Sequence, residues 1–188
     1  GYQLPLGTQS SIFLSYNNDP SLPGPPVIVP PGSPPPPVVD KNRIINNYLY
    51  GFLYGIFDNG TFDNFISGNR IEGTEYVGIV LQVGASRSGA HRVIGNSLAY
   101  IHSAAAGLLF PQKRCIWVNT GLLAKVVFAD NIINTQSGAS TDYGIYAQND
   151  ETLISNCIVD TCIVTANSCM VTNCDALSSI ICGSSCSI

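Results

Sequence analysis

From about residue 42 onward, short apolar runs alternate with breaks of Asn, Gly or Ser. The pattern is sharpest at the end of the chain, where a 17-residue period relates the last 33 residues to themselves. Laid over one another, Asn156 falls on Asn173, Cys157 on Cys174, Val159 on Ala176, Ile163 on Ile180 and Val164 on Ile181. Ser168 falls on Ser185, Cys169 on Cys186 and Val171 on Ile188. A period this short, filled with β-forming runs, leaves no room for a helix and predicts a parallel β-solenoid. Successive turns then stack like residue over like at about 4.8 Å, the spacing of neighbouring strands.

A looser form of the same cadence runs upstream. It reads Ile45-Asn46-Asn47-Tyr48-Leu49, then Ile66-Ser67-Gly68-Asn69-Arg70-Ile71, then Ile94-Gly95-Asn96-Ser97-Leu98, and continues at Asn131, Asn156 and Asn173. Gly-aliphatic runs fall between: Gly55-Ile56, Gly78-Ile79-Val80-Leu81, Gly107-Leu108-Leu109 and Gly144-Ile145-Tyr146. The Asn markers, counted from Asn47, are 22, 27, 35, 25 and 17 residues apart, which places insertions at corners within 83–91, 111–114 and 136–142. Asn suits a corner because it tolerates the left-handed conformation, and stacked Asn side chains can bond along the coil axis. The segment from Lys113 to Asp130, with the only Trp at Trp117, fits the cadence worst and is expected to leave the coil. Tyr48, Tyr50, Phe52, Tyr54 and Phe57 crowd the first rung, where capping the open core is their expected task.

Alternation within the last two coils assigns their faces. Cys157, Val159, Cys162, Val164, Cys169 and Val171 fall in one phase, small or β-branched as a thin core requires. The opposite phase stacks Ile158 over Asp175, Ile163 over Ile180 and Met170 over Ser187, and Asp175 could not face such a core unpaired. Ile163 over Ile180 is therefore expected as an outward apolar strip, a contact for another chain. That predicts a homo-oligomer, most simply a trimer about the long axis.

Residues 1–41 are different material, with eleven of the twelve prolines between Pro5 and Pro37. Proline fixes φ and removes a donor, so an extended arm with no core of its own is expected, followed by the solenoid over 42–188. The apolar triplets Ile12-Phe13-Leu14 and Val27-Ile28-Val29 mark it as an arm that docks on a neighbouring subunit or another structural protein; the alternative is a spacer.

Composition narrows the function classes. Charged residues are 11% of the chain, well under the usual quarter, and apolar residues are 45%. A net charge of -4 and eight basic residues scattered from Lys41 to Lys125 exclude a nucleic-acid stripe. No apolar run reaches the length of a membrane span, so no membrane insertion is expected. Six of the seven cysteines lie in the last 32 residues at spacings of 5, 7, 5, 8 and 4, which do not suit zinc. They read as a reduced core ladder or as including at least one disulfide, and the odd total leaves one thiol free or paired between chains. No cofactor or metal is expected.

Candidate chemistry is sparse. Asp58 with Asp63, Glu72 with Glu75, and Asp150 with Glu151 are local carboxylate pairs, expected as solvated turn acids, so no catalytic residue is assigned. Arg87, His91 and Arg92 form one compact basic group in the corner 84–92, the candidates for glycan contact. His102 is expected as an outward strand residue. Asn59-Gly60-Thr61 is an N-glycosylation sequon, with Asn59 as the acceptor.

The Asn-aliphatic and Gly-Ile cadence over roughly 42–188 resembles the right-handed parallel β-helix of the pectin-lyase-like superfamily, viral tailspike and fibre proteins included. The resemblance implies an all-β, right-handed parallel β-helix behind its proline-rich arm, a hand that parallel crossovers also favour. The expected function is a non-enzymatic structural or adhesive protein: a fibre, spike or stalk at a virion surface or outside the cell, assembling with copies of itself. The alternative that the resemblance implies is a polysaccharide lyase or glycoside hydrolase, which would need acids or basic groups converging on one face. An ice-binding face would need a flat Thr rank, and only Thr161 over Ser178 hints at one.

Overall fold

The computed structural model describes residues 10–15, 41–52, 54–59, 61, 63–74, 77–82, 89–99, 114–118, 124–134 and 143–188. Every regular element among them is a β-strand, and the strands form three parallel sheets. Sheet A holds β1 (Ser10–Ser15), β4 (Tyr54–Asn59), β7 (Val77–Gln82), β10 (Arg114–Val118), β13 (Tyr143–Ala147), β16 (Cys162–Thr165) and β19 (Ser179–Ile181). Sheet B holds β2 (Arg43–Ile45), β5 (Phe65–Ser67), β8 (Gly89–Ile94), β11 (Ala124–Ala129), β14 (Leu153–Ser155) and β17 (Met170–Thr172). Sheet C holds β3 (Tyr48–Tyr50), β6 (Arg70–Glu72), β9 (Ser97–Ala99), β12 (Ile132–Asn134), β15 (Ile158–Val159) and β18 (Asp175–Ala176). The chain crosses B, then C, then A before it pairs with the next rung, as in a parallel β-helix.

Each sheet contributes one continuous apolar rank to the interior. Sheet A stacks Ile56, Ile79, Ile116, Ile145, Ile163 and Ile180 in register. Sheet B stacks Ile44, Ile66, Val93, Phe128, Ile154 and Val171, and sheet C stacks Leu49, Ile71, Leu98, Ile133, Val159 and Ala176. The ranks meet in one core cluster. Each fully buried aliphatic contributes roughly 1.5–3 kcal/mol, so the tube rather than any helix or cap holds the fold.

Two adjacent positions make the corner between sheets B and C, and Asn serves both in different ways. The first turns the chain with positive φ: Asn46, Gly68, Gly95, Asp130, Asn156 and Asn173. The second, Asn47, Asn69, Asn96 and Asn131, forms a ladder inside the tube. Asn96 Oδ1 accepts from the Asn69 backbone N–H and Nδ2, both at 3.0 Å, and Asn131 Oδ1 accepts the same pair from Asn96 at 3.0 Å. Each amide also reaches back to a strand: Asn69 to Ile44 O, Asn96 to Ile66 O, Asn131 to Val93 O. The ladder then changes chemistry, for Asn131 Nδ2 points to Cys157 Sγ at 3.7 Å, and Cys174 lies below Cys157. The expected marker at Asn156 is thus displaced by one residue: Asn156 makes the bend and Cys157 takes the inward slot.

Three further expectations are corrected. Ile163 is fully buried in the core and Ile180 packs against it, so their stack is real but faces inward. Alternation fails at the start of β16, where Cys162 and Ile163 are both buried beside a register shift between Tyr143 and Ile145 of β13. The described parts of the segment from Lys113 to Asp130 belong to the coil: β10 and β11 are in-register strands of sheets A and B. The first-rung aromatics do not plug the tube: Tyr48 and Tyr50 stand outward and exposed on sheet C, and Tyr54 is buried in a second cluster with Val77 and Val80.

Candidate functional site

The outer side of sheet A carries an apolar and aromatic rank. Phe57, Val80, Trp117, Tyr146, Val164 and Ile181 are register partners on six successive strands; Val80 is fully buried beside Phe57 and Trp117, and the accessible part runs from Trp117 to Ile181, about 14 Å at strand spacing. Phe13 of β1 pairs with Phe57 at the edge strand. The rank arises because β4, β7, β10, β13, β16 and β19 each place an Ile inward, which turns the following residue out. Its centre is built of aromatic rings around one cation. The Arg114 guanidinium lies 5.1 Å from the Trp117 ring centroid and 4.4 Å from that of Tyr146. Tyr143 stacks on Tyr146 with centroids 4.9 Å apart, and Trp117 Nε1–H donates to Gln148 Oε1 at 3.0 Å. Partial burial lowers the Arg114 pKa, against the pull of Tyr146 and Tyr143. Arg, Trp and Tyr stacked this way are the residues that carry contact energy at protein interfaces.

Beneath the neighbouring corner lies a buried polar cluster. Asp58 sits in the inward column of sheet A that elsewhere holds Leu81, Val118 and Ala147. Its carboxylate is satisfied from within the chain. Oδ1 accepts from the Thr61 backbone N–H at 3.0 Å and the Thr61 hydroxyl at 2.6 Å, and Oδ2 accepts from Asn64 Nδ2 at 2.6 Å. Asn64 Oδ1 accepts in turn from Asn42. His91 follows Asn64 in register, fully buried, with Nδ1 at 3.7 Å from Asp58 Oδ2, beyond hydrogen-bonding distance. Neither ring nitrogen has a hydrogen-bond partner. Burial pushes the imidazole down to about 4, against the pull of the Asp63 carboxylate, so it is neutral at pH 7.

The structure separates the residues chosen from sequence. His91 points into the tube and Arg92, its neighbour on β8, is exposed on the outside, so the two cannot share a ligand; Arg87 lies outside the described residues. Asp58 is buried rather than a solvated turn acid. Asp63 occupies the left-handed corner and accepts from the Ala90 N–H at 2.7 Å. Glu72 is engaged on sheet C by Arg70 Nε at 2.6 Å and the Tyr48 hydroxyl at 3.0 Å, and Arg70 holds its carboxyl below the usual range. Glu75 and His102 are outside the described residues, as are Val27, Ile28 and Val29. Ile12, Phe13 and Leu14 lie on β1, which pairs with β4 of the same chain. Asn59 ends β4, and the sequon's Thr61 hydroxyl is committed to Asp58.

Sequence reasoning missed both the aromatic rank and the Asp58 cluster. The rank spans insertions of different length, so no period reveals it. The cluster had a local signal, because Asp58-Asn59-Gly60-Thr61 is a turn sequence whose Asp side chain can take the N–H three residues on. All seven cysteines are free thiols. Among the described residues no group of three or more His, Cys, Asp or Glu is placed to hold a metal ion. No protein-family model matches the chain, and no curated protein or solved structure does.

Proposed function

We propose that the protein is a non-enzymatic structural or adhesive component, a β-helical fibre, spike or stalk of a virion or extracellular assembly that self-associates through its outer faces. The coil is right-handed in this reading, as parallel crossovers favour, and of the pectin-lyase-like type. The observation that carries it is the outer rank on sheet A from Trp117 to Ile181, with Trp117, Arg114, Tyr143 and Tyr146 only partly buried. Ranks of this length and composition suit burial against another copy better than permanent contact with water. The proline-rich arm is part of the assembly, and the partner is a further copy of the chain, as a trimer or a repeating array.

A polysaccharide-cleaving role has less support. The described carboxylates form no exposed convergent pair across rungs: Asp58 is buried and hydrogen-bonded, Asp63, Asp150 and Glu151 stand at corners between sheets A and B, Asp130 between B and C, Asp160 between C and A, and Glu72 and Asp175 on sheet C. Sedimentation equilibrium on the full chain tests the proposal. The protein should sediment as an oligomer, and Trp117→Ser with Tyr146→Ser should weaken association by about tenfold or more, equivalent to about 1.4 kcal/mol, with the strand signal unchanged. A wild-type monomer at high concentration sinks it.

A further inference from the structure

We propose that the outer face of sheet B at its first three rungs binds an oxyanion (phosphate, sulfate or carboxylate) carried on a ring or other flat group. Six Lys and Arg residues lie among the described residues. Arg70 is bound to Glu72, Lys125 stands 3.5 Å from Glu151, and Arg114 lies between aromatic rings. The other three, Lys41, Arg43 and Arg92, are exposed, gather at one place, and have no carboxylate within ion-pair distance among the described residues. On a chain of net charge -4 such a cluster is a local reversal of sign.

Its geometry is fixed by strand register. Arg43, Phe65 and Arg92 are direct partners on β2, β5 and β8, so the two arginines flank the phenyl ring with Cα atoms about 10 Å apart. The Arg43 guanidinium lies 5.2 Å from the Phe65 centroid. Lys41, at the left-handed corner, joins Asp63, Asn64, Phe65, Ala90 and Arg92 around a hollow of about 320 Å³. Asp63 also lines the hollow and keeps its negative charge while its Oδ1 accepts from the Ala90 N–H, so Lys41, Arg43 and Arg92 outweigh a single carboxylate there; Asn64 Oδ1 is engaged by Asn42. The hollow presents two cationic heads, Lys41 and Arg92, and the half-buried Phe65 ring, with the Arg43 guanidinium stacked over that ring from the neighbouring strand. Guanidinium groups pair oxyanions through two parallel N–H···O bonds, and the ring offers an apolar face to whatever bears the anion. Three cations are too few to track a nucleic-acid backbone.

This goes beyond the self-association reading and does not depend on it. Phenyl phosphate and inorganic phosphate are titrated into the full chain at low ionic strength and followed by calorimetry or amide chemical shifts. Phenyl phosphate should bind about tenfold or more tightly than inorganic phosphate, and more weakly as salt rises. Arg43→Ser with Arg92→Ser should lose about tenfold or more in affinity at unchanged melting temperature. Phe65→Ser should remove the advantage of phenyl phosphate and spare inorganic phosphate. Dextran sulfate as competitor separates the sources: displacement at a lower concentration of charged groups assigns the site to polymer-borne anions, and displacement only at matched concentration assigns it to free ones. Binding that is equal for the two phosphates, or unaltered in the double arginine variant, overturns the proposal.

Discussion

At the scale of single residues, the interior polar groups set the sharpest demands. Asn96 accepts two bonds from Asn69 and donates to Ile66 O while almost wholly buried. Asn96→Ala should therefore cost about 2–4 kcal/mol, because it strands two buried donors. Asn173→Gly, at an exposed corner with φ 50, should change the denaturation midpoint little, since only the bend is needed there. The contrast in urea midpoints separates the two uses of Asn. His91 sets a pH dependence. Its folded pKa, about 4, lies below the ordinary value of 6.5, so between those limits the unfolded chain binds the extra proton. Stability should be full above about pH 6.5 and fall as pH drops toward 4, by on the order of 3 kcal/mol. Asp58 and Asp63 are the charges that face this ring, and His91→Val, which matches Val126 on the next rung, should flatten the urea-midpoint profile.

Within elements, the constraint is space at the entry to sheet A. Gly55, Gly78, Cys115 and Gly144 share one column there. A Cβ on Gly55 would lie 2.5 Å from Gly78 O and 2.6 Å from Ile71 Cγ2, and one on Gly144 would collide with Val159. Gly55 has an ordinary φ, so Gly→Ala would normally be neutral or mildly stabilising. Here Gly55→Ala should destabilise by about 1–3 kcal/mol in urea unfolding, through overpacking alone. The same column explains why Gly-Ile was legible as a strand opening: the glycine admits the neighbouring rung, and the isoleucine behind it fills the tube.

For the whole molecule, closure is uneven along the axis. Inward residues of the middle rungs are fully covered, whereas Cys174, Ala176, Ile180 and Cys182 of the last rung are only partly buried. Alkylation of the native protein near pH 8 should modify Cys174, Cys182 and Cys186 well before Cys115, Cys157, Cys162 and Cys169. Burial also lifts the Cys157 thiol to about 11, which keeps it protonated under those conditions. Mass mapping of the labelled peptides checks the order; early labelling of Cys157 would contradict the inward ladder.

Much of this architecture was written in the chain. The 17-residue period gave the pairing of Cys162 with Ser179, Ile163 with Ile180 and Val164 with Ile181, and all three stand in register. Asn and Gly at the bends, and aliphatic residues beside them, are dictated by backbone sterics and by the need for dry ranks, which are local requirements that sequence records directly. Which way a residue faces after a corner is not local. The β13–β16 register shifts by one residue at Gly144, so Cys162 and Ile163 are both buried and Val164 turns outward against simple alternation. Nor could sequence align Trp117 with Tyr146, or Arg43 with Phe65 and Arg92, because insertions of unequal length separate them along the chain. Those neighbours are made by strand pairing across rungs, and the long-range hydrogen bonds of the coil alone bring them together.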